Sequence, residues 1–368
     1  MHFDRRELLK CSAAFGFATQ QPAPARADVS FDPVPGTWRS FEVITRVEIA
    51  GSAAATQAWI PLPSVGANDW IKPEGNRWTT NGAAEVAQDT RYRTQMLHVT
   101  WKETEKAPFA EVTSTVSIQD RSVDLFKPAS SPVELSQAER RFNSAGTELI
   151  PVDGIVKRTS DKITAGKTTE VEKVHAIYDW IVANTYRDAK VRGCGNGNVV
   201  SMLKSGNLGG KCADINALFV GLTRAAGIPA RDVYGIRVAP SRFGYKSLGA
   251  KGTVVTGAQH CRAEVFLTGY GWVAIDPADV RKVMLEEPPT NLPSDNPKVV
   301  AARHTLFGAW EGNWMAYNFA HDLVLPGSSG PKIAFLMYPQ GEDGNGRLDC
   351  LDAAAFRYGI KAKEITAT

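Results

Sequence analysis

The chain has 368 residues, of which 43% are hydrophobic and 22% are charged, so it is long enough to bury the cores of two or three domains. This composition excludes a disordered, collagen-like or coiled-coil protein. Lys and Arg number 42 against 39 Asp and Glu, and the resulting net charge of +3 is too small to predict a nucleic-acid partner.

The first 27 residues are typical of an export signal. Arg5 and Arg6 form an adjacent pair that is followed by two leucines and a lysine, and this pattern resembles a twin-arginine signal. An apolar run from Cys11 to Thr19 comes next, and Ala25-Arg26-Ala27 then offers the small residues at which a signal peptidase cleaves. The sequence therefore predicts cleavage after Ala27 and a periplasmic or secreted mature protein.

The alternative for this segment is an amphipathic N-terminal helix of a cytosolic protein. Pro22 and Pro24 would interrupt such a helix, so export is the favoured interpretation. No other stretch approaches the roughly 18 apolar residues that a membrane span requires, so the sequence predicts no membrane span.

Residues 28–130 are predicted to form a β-rich N-terminal domain that resembles a β-sandwich. Apolar and polar residues alternate in short runs such as Phe41–Val47 and Met96–Trp101, and clusters of Gly, Asn and Pro separate the runs. Such alternation is typical of strands that bury one face.

Helical patterns follow and dominate residues 131–187. Ser131-Pro132-Val133-Glu134 predicts a helix start with a capping box, because Ser can cap the helix, Pro suits its first position and Glu can close the box. Thr169–Glu172 repeats the signal before a second apolar stripe.

A helix and several strands complete the predicted core over residues 131–300. The glycine-rich stretch Gly193–Gly210 leads into Cys212, and apolar residues then recur at helical spacing until Gly227 and Pro229 end the pattern. The predicted strands are Val233–Val238, Cys261–Leu267 and Trp272–Ile275. Residues 301–368 are predicted to be a C-terminal β extension with a hairpin around a turn of Gly and Asp residues.

Three residues in this core have the chemistry of a cysteine nucleophile and its partners. Cys212 lies where the glycine-rich stretch becomes a helix, and the free N–H groups of a helix N-terminus favour a thiolate. His260 opens a predicted strand, and Asp276 closes the strand that returns after a short turn. Antiparallel pairing around that turn brings His260 and Asp276 within one or two residues of register, so their side chains can meet.

Four motifs around these residues resemble the core of the transglutaminase-like superfamily. They are Gly209–Asp214, Ala226–Arg231, His260–Glu264 and Gly271–Pro277, in that order, and the resemblance covers Val171–Pro277. It implies an α+β fold with a papain-like core, in which a helix carrying the cysteine packs on a sheet carrying the histidine and the aspartate. The superfamily includes cross-linking enzymes, peptidases, amidases and members without a nucleophile, so the resemblance leaves the reaction open.

The resemblance also implies the catalytic roles. Cys212 would be the nucleophile, and His260 would act first as a base and then as an acid for the leaving amine. Asp276 would orient the imidazole and stabilise its cation.

The oxyanion of the intermediate would be met by the backbone N–H of Cys212 and by a second donor from elsewhere in the chain. Tyr186 is the first choice for that donor, with Trp180 and Gln259 as alternatives. Gln259 adjoins His260 and would face the other side of an ideal strand, which weighs against it.

The remaining cysteines and histidines have less specific patterns. Cys194 and Cys261 permit a disulfide in an oxidising compartment, but strand alternation turns Cys261 away from the His260 face, so a core thiol is favoured. His304, His321 and Asp322 suggest a metal site, yet no third ligand lies at a convincing spacing. We therefore expect neither a metal nor another cofactor.

These features predict an exported cysteine enzyme that acts on peptide or isopeptide amides through a thioester acyl-enzyme. The expected partner is a peptide or protein substrate, such as one of the cell envelope. Hydrolysis is favoured over cross-linking because water is always present, whereas cross-linking requires a second site for an amine. The alternative function is a binding or scaffolding module of the cell envelope that keeps the fold without turnover.

Overall fold

The computed structural model describes residues 30–49, 54–128, 134–354 and 356–365. The export signal predicted over residues 1–27 lies outside the described residues. The strands are β1 (Arg39–Ile49), β2 (Thr56–Pro61), β3 (Ile71–Thr80), β4 (Ala83–Gln88), β5 (Gln95–Trp101), β6 (Phe109–Ile118), β7 (Arg121–Ser122), β8 (Tyr186–Arg187), β9 (Gly209–Gly210), β10 (Ala230–Arg237), β11 (Gln259–Leu267), β12 (Gly271–Ile275), β13 (Phe307–Trp310), β14 (Trp314–Asn318), β15 (Gln340–Asp343), β16 (Gly346–Arg347) and β17 (Phe356–Ile365). The helices are α1 (Gln137–Ser144), α2 (Gly154–Ile163), α3 (Glu170–Asn184), α4 (Val199–Ser205), α5 (Cys212–Ala225), α6 (Pro277–Glu286) and α7 (Pro297–Thr305).

Two antiparallel sheets form the β-sandwich that the alternating runs predict. One sheet has the strand order β17-β1-β6-β3 and the other has the order β16-β15-β2-β5-β4. Buried and partly exposed side chains alternate along most of β1. Apolar side chains from both sheets share one core, among them Val47, Ile60, Val99, Val112 and Phe356.

The central sheet carries the predicted catalytic core. Its strand order is β14-β10-β11-β12-β13-β7, and α5 packs against β10 and β11. Every residue of α5 is buried, because the helix is apolar on nearly all sides and lies between the sheet and the helices α2, α3 and α6. The predicted α+β architecture, in which a helix that begins at Cys212 packs on a sheet beside a β-sandwich, is confirmed.

Strands from distant parts of the chain join these sheets. The C-terminal strand β17 pairs along its whole length with β1, and β15 pairs with β2. β13 and β14, from residues 307–318, lie in the central sheet beside strands of the predicted core. The domain boundaries at residues 130 and 300 therefore stay a prediction about sequence units.

Two local expectations have different outcomes. The hairpin in the C-terminal extension is present, since β15 pairs with β16 across a turn at Gly344 and Asn345, and Gly346 at the start of β16 has a φ of 114°. The first helix was expected to start at Ser131, but the structure shows Glu134 outside any helix and α1 beginning at Gln137. Ser136 and Glu139 form the capping box instead, because the same Ser-x-x-Glu pattern recurs five residues further along.

Among the helices that the structure describes, none is long and apolar enough to cross a membrane.

Candidate active site

Three elements bring the predicted catalytic residues together. Cys212 is the first residue of α5, His260 lies near the start of β11, and Asp276 follows β12 directly. β11 and β12 pair with Ala263 opposite Ile275. Continuing this register by one residue leaves Asp276 two residues from His260 on the facing strand, so both side chains are on the same face of the sheet.

Asp276 is fixed by its position at the start of α6. Its side chain caps that helix by accepting a hydrogen bond from the backbone N–H of Asp279 at 3.1 Å, and Pro277 occupies the first helical position. Asn216 of α5 donates to Asp276 Oδ1 at 3.3 Å and to the backbone oxygen of Cys261 at 2.8 Å. Helix α5 is thereby tied to Cys261 in β11 and to Asp276 at the end of β12.

His260 is held by two carboxylates rather than one. Its Nε2 atom lies 2.7 Å from Asp276 Oδ2 and 3.3 Å from Asp279 Oδ1. Arg237 Nη2 in turn donates to both carboxylate oxygens of Asp279, at 2.6 and 2.8 Å. All four side chains are buried, so these ion pairs are poorly screened by water.

The charges around His260 favour a protonated imidazole. Burial and the positive charge of Arg237 lower the pKa of His260. The negative charges of Asp279 and Asp276 have the larger effect and raise this pKa to about 10. Burial also raises the pKa of Asp276. Asp279 resists the same effect, since Arg237 and His260 hold the pKa of its carboxyl well below the ordinary value.

The thiol of Cys212 is affected in the opposite sense. Hydrogen bonds from the thiols of Cys194 and Cys261 hold the pKa of Cys212 well below its ordinary value despite burial, and contact with His260 adds to this effect. The arrangement can therefore store a thiolate beside an imidazolium. Cys212 exposes only 3% of its surface, so the pair is shielded from bulk water.

The four cysteines within the described residues are free thiols. Cys261 is fully buried in the core beneath α5, on the sheet face that strand alternation predicts. Because α5 lies on that same face, the Cys261 thiol nevertheless contacts Cys212. Cys194 contacts Cys212 from the glycine-rich loop, and its Sγ lies 3.6 Å from the backbone oxygen of Gln259.

The structure distinguishes the predicted oxyanion donors. Tyr186 lies beside the segment before Cys212, because β8 pairs with β9, but its hydroxyl donates to Asn207 at 2.8 Å. Gln259 Nε2, by contrast, is buried and has no hydrogen-bond partner among the described residues. Trp180 is partly buried in α3. The second oxyanion donor stays a prediction, for which Gln259 is the freer group.

The residues considered for a metal site have separate environments. His321 is buried against Tyr234 and Asp232, whereas Asp322 accepts backbone hydrogen bonds from Glu148 and Leu149. His304 lies at the end of α7.

Among the described residues, the side chains with metal-ligand spacing are His260, Asp276 and Asp279, whose ligand atoms all lie within 4.8 Å. Arg237 already supplies a positive charge to Asp279 there, so the chemistry of the group fits an ion-pair network better than a cation site.

A groove of about 1420 Å³ lies elsewhere, between α7 and the loop of residues 240–252. None of Cys212, His260 and Asp276 lines it, so its size alone does not connect it with the proposed chemistry.

Sequence reasoning missed several supporting residues of this site. Asn216 and Arg237 act across the fold and carry no local signal. Asp279 had a signal, because Asp-Pro-x-Asp places a second carboxylate three residues after the helix cap. Tyr338, whose side chain contacts Cys194, comes from the C-terminal region and could not be placed from sequence spacing.

Comparisons with known proteins support the fold. Residues 157–277 match the family model of the transglutaminase-like superfamily. An uncharacterized protein of Haemophilus influenzae is 37% identical over 333 residues, which cover 86% of this chain and 88% of that protein.

Among solved structures, a candidate cysteine protease from Cytophaga hutchinsonii superposes with a TM-score of 0.51 at 15% identity, over 90% of this chain and 99% of that one. The periplasmic domain of TgpA from Pseudomonas aeruginosa is 16% identical over 68% of this chain and 96% of that one, with a TM-score of 0.33. The family model matches residues 157–277, and the relative with 37% identity spans 86% of the chain. The chain belongs to the transglutaminase-like superfamily.

Proposed function

We propose that this protein is an exported cysteine enzyme that hydrolyses peptide or isopeptide amides through a thioester on Cys212. The observation that carries the proposal is the contact between the Cys212 thiol and His260, whose Nε2 lies 2.7 Å from Asp276. A buried thiol at a helix N-terminus and an imidazole held by carboxylates together form the nucleophile and proton carrier that acyl transfer needs.

The first half-reaction forms the acyl-enzyme. The Cys212 thiolate attacks the amide carbonyl, and the new oxyanion accepts a hydrogen bond from the Cys212 backbone N–H, which as a first helical residue has no partner within α5. The carbon–nitrogen bond then breaks, and the His260 imidazolium gives its proton to the leaving amine. The products are a thioester on Cys212, a neutral imidazole and a free amine.

The second half-reaction regenerates the enzyme. Neutral His260 accepts a proton from water while the water oxygen attacks the thioester carbonyl. Collapse of this intermediate releases the carboxylic acid and restores the thiolate and imidazolium. An amine in place of water would give cross-linking, but water needs no binding site and is the favoured acceptor. These steps require no cofactor.

The expected substrates are peptides or proteins of the cell envelope, because the N-terminal sequence predicts a periplasmic or secreted enzyme. Changing Arg5 and Arg6 to Lys should leave uncleaved precursor in the cytoplasm if the twin-arginine route is used. Unchanged export of that variant would exclude this route.

The central experiment is a mass-spectrometric search for an acyl adduct on Cys212. Purified protein is incubated with cell-envelope peptides, quenched in acid and digested with trypsin, which releases Cys212 in the peptide of residues 212–224. We expect a hydroxylamine-sensitive adduct on this peptide. The Cys212→Ala variant should lack the adduct, whereas the Cys350→Ala variant should retain it.

The rival function, a binding module without turnover, is favoured by one observation: Cys212 exposes only 3% of its surface. The two functions differ in the reactivity of the thiol. If the protein is an enzyme, an alkylating reagent should modify Cys212 faster than Cys194, Cys261 or Cys350, because the thiolate of Cys212 is stabilised. A Cys212 that reacts no faster than the other thiols in the folded protein would support the binding module.

A further inference from the structure

Three buried thiols lie close together at the N-terminus of α5. The Cys212 thiol interacts with the thiols of both Cys194 and Cys261. Neither hydrolysis step above uses Cys194 or Cys261.

The loop that carries Cys194 is fastened to the nucleophile helix. The backbone oxygen of Cys194 accepts a hydrogen bond from Ala213 N at 3.0 Å. Asp214 Oδ1 accepts two more from the N–H groups of Asn196 and Gly197, both at 3.0 Å. The Cys194 side chain is therefore held against the first turn of α5, which keeps it in reach of Cys212.

Cys194 and Cys261 differ in how freely they can move. Cys261 lies inside a central strand, is fully buried, and has its backbone oxygen bound by Asn216. Cys194 lies in a loop between two glycines with positive φ, 57° at Gly193 and 87° at Gly195, and it retains 7% exposure. Loop residues can adjust their backbone to the strict geometry of a disulfide more easily than residues of a central strand can.

We propose that Cys194 is a resolving cysteine for Cys212, and that a hydroperoxide converts the two thiols into a reversible disulfide. This inference rests on the proposed function in one respect, because it takes Cys212 as the reactive nucleophile of the site. It adds a modification site and a form of regulation that hydrolysis itself does not require.

The chemistry balances with hydrogen peroxide as the oxidant. The Cys212 thiolate attacks one peroxide oxygen, the O–O bond breaks, and hydroxide leaves and takes a proton from His260, giving a sulfenic acid and water. The Cys194 sulfur then attacks the sulfenic sulfur, the S–O bond breaks, and a second water forms as Cys194 loses its proton. Two thiols lose two electrons in total, and the peroxide gains them. A dithiol reductant reverses the change by thiol–disulfide exchange.

The linkage would switch off the enzyme and also protect it. A disulfide removes the Cys212 thiolate, so no acyl-enzyme can form. It also diverts the sulfenic acid from further oxidation to sulfinic and sulfonic acids, which most cells cannot reverse.

Tryptic peptides of this chain make the test direct. Cys194 is released in residues 193–204, Cys212 in 212–224, Cys261 in 252–262 and Cys350 in 348–357, so each of these four thiols has its own peptide. Purified protein is treated with graded hydrogen peroxide, blocked with N-ethylmaleimide, digested without reductant and analysed by mass spectrometry. We expect the peptides 193–204 and 212–224 to appear linked, to separate on addition of dithiothreitol, and Cys212 to recover its alkylation by iodoacetamide.

The matched variants are Cys194→Ser and Cys350→Ser, each checked for folding by thermal melt. Cys194→Ser should give no linked peptide and should accumulate Cys212 sulfinic acid. At the same peroxide doses, wild type and Cys350→Ser should form only the disulfide that dithiothreitol reduces. Equal sulfinic acid formation in wild type and Cys194→Ser would overturn the proposal. A linkage between 212–224 and 252–262 would also overturn it, because Cys261 would then be the partner.

The measurement is independent of turnover. A protein that forms the Cys194–Cys212 linkage but hydrolyses no peptide would contradict the proposed function and support this inference. An active hydrolase that yields no linked peptide in the wild type would overturn this inference alone.

Discussion

Two buried histidine–aspartate pairs adjoin the central sheet, and the histidine of one of them, His260, interacts with the Cys212 thiol. His260 Nε2 lies 2.7 Å from Asp276 Oδ2, and His321 Nε2 lies 3.2 Å from Asp232 Oδ2. Both histidines expose 3% or less of their surface. By composition and burial the two pairs are close to equivalent, so an Asp–His pair is not by itself a sign of catalysis.

The surroundings separate the pairs. Around His260, Asp279 adds a second carboxylate, and these groups raise the pKa of the imidazole to about 10 although burial opposes the cation. The ring of His321 meets the hydroxyl of Tyr234 at 3.1 Å instead of a nucleophile. Among the described residues, no group donates a hydrogen bond of good geometry to either carboxylate oxygen of Asp232. The predictions below compare the two pairs in order of their expected effect on turnover.

The largest effect should come from His260→Gln. The variant loses both the acid and the base, so we expect kcat/KM to fall by about 10²–10⁴-fold or more. Cys212→Ala should be similarly inactive, and the double variant should be no worse than either single one, because residues that act as a unit are not additive. Steady-state assays on one peptide substrate, with folding checked by thermal melt, measure this. A folded His260→Gln enzyme with near wild-type turnover would remove the proposed general base.

The two carboxylates at His260 should be distinguishable. Asp276→Asn should retain measurable activity, because the amide oxygen still accepts the ring N–H and the charge of Asp279 remains.

Asp279→Asn should shift the alkaline limb of the pH–rate profile to lower pH, since Asp279 raises the pKa of His260 and its loss lowers the pKa of the imidazolium acid. Asp295→Asn, at an exposed acid, is the matched control. An unmoved limb in Asp279→Asn would show that Asp279 does not act on His260.

The sequence predicts the residues of the pair formed by His260 and Asp276, but not the pair formed by His321 and Asp232. Cys212, His260 and Asp276 stand in local motifs, and the short β11–β12 turn fixes the spacing of the last two. Asn216 and Arg237 were missed, because their contacts with Asp276 and Asp279 depend on how α5 and β10 pack. Local sequence patterns do not encode such packing.

The fold shows the same division. Alternation predicted the strands of the sandwich, and a helical stripe predicted α5. The pairing of β17 with β1 joins residues some 300 positions apart, and the two strands have no turn between them to indicate it. His321 was considered only as a metal ligand, because nothing in its spacing links it to Asp232 or Tyr234.

Protonation of His260 should also appear in the stability of the protein. Its folded pKa of about 10 lies above the ordinary value of 6.5, so the folded state binds the extra proton and is stabilised below pH 6.5. This stabilisation is lost as the pH rises from about 6.5 to about 10. The lowered pKa of Cys212 acts in the opposite direction, because its stabilisation grows as the pH rises towards the ordinary value of 9.0.

The contribution of His260 and Cys212 together to the free energy of unfolding should therefore change little between pH 6.5 and 9. Removal of the thiol should make the pH dependence due to His260 measurable. We expect Cys212→Ala to lose ~1 kcal/mol or more of unfolding free energy, relative to Cys212→Ala/His260→Gln, between pH 7 and 9.5. Urea unfolding at several pH values measures it. Parallel curves for these two variants would contradict a raised pKa at His260.

The smallest effect on turnover should come from His321→Gln. Within the described residues, His321 contacts Tyr234 and Asp232 rather than Cys212, His260 or Asp276, so kcat/KM of the folded variant should stay within about twofold of wild type. Its stability should nevertheless fall, by about 1–3 kcal/mol, because Asp232 is left buried without its partner. Asp232→Asn/His321→Gln should recover part of that loss, since an uncharged amide is cheaper to bury than an unpaired carboxylate. Urea unfolding and a peptide assay on the same preparations separate the two quantities. A His321→Gln enzyme that keeps its stability but loses as much turnover as His260→Gln would show that both pairs serve the reaction.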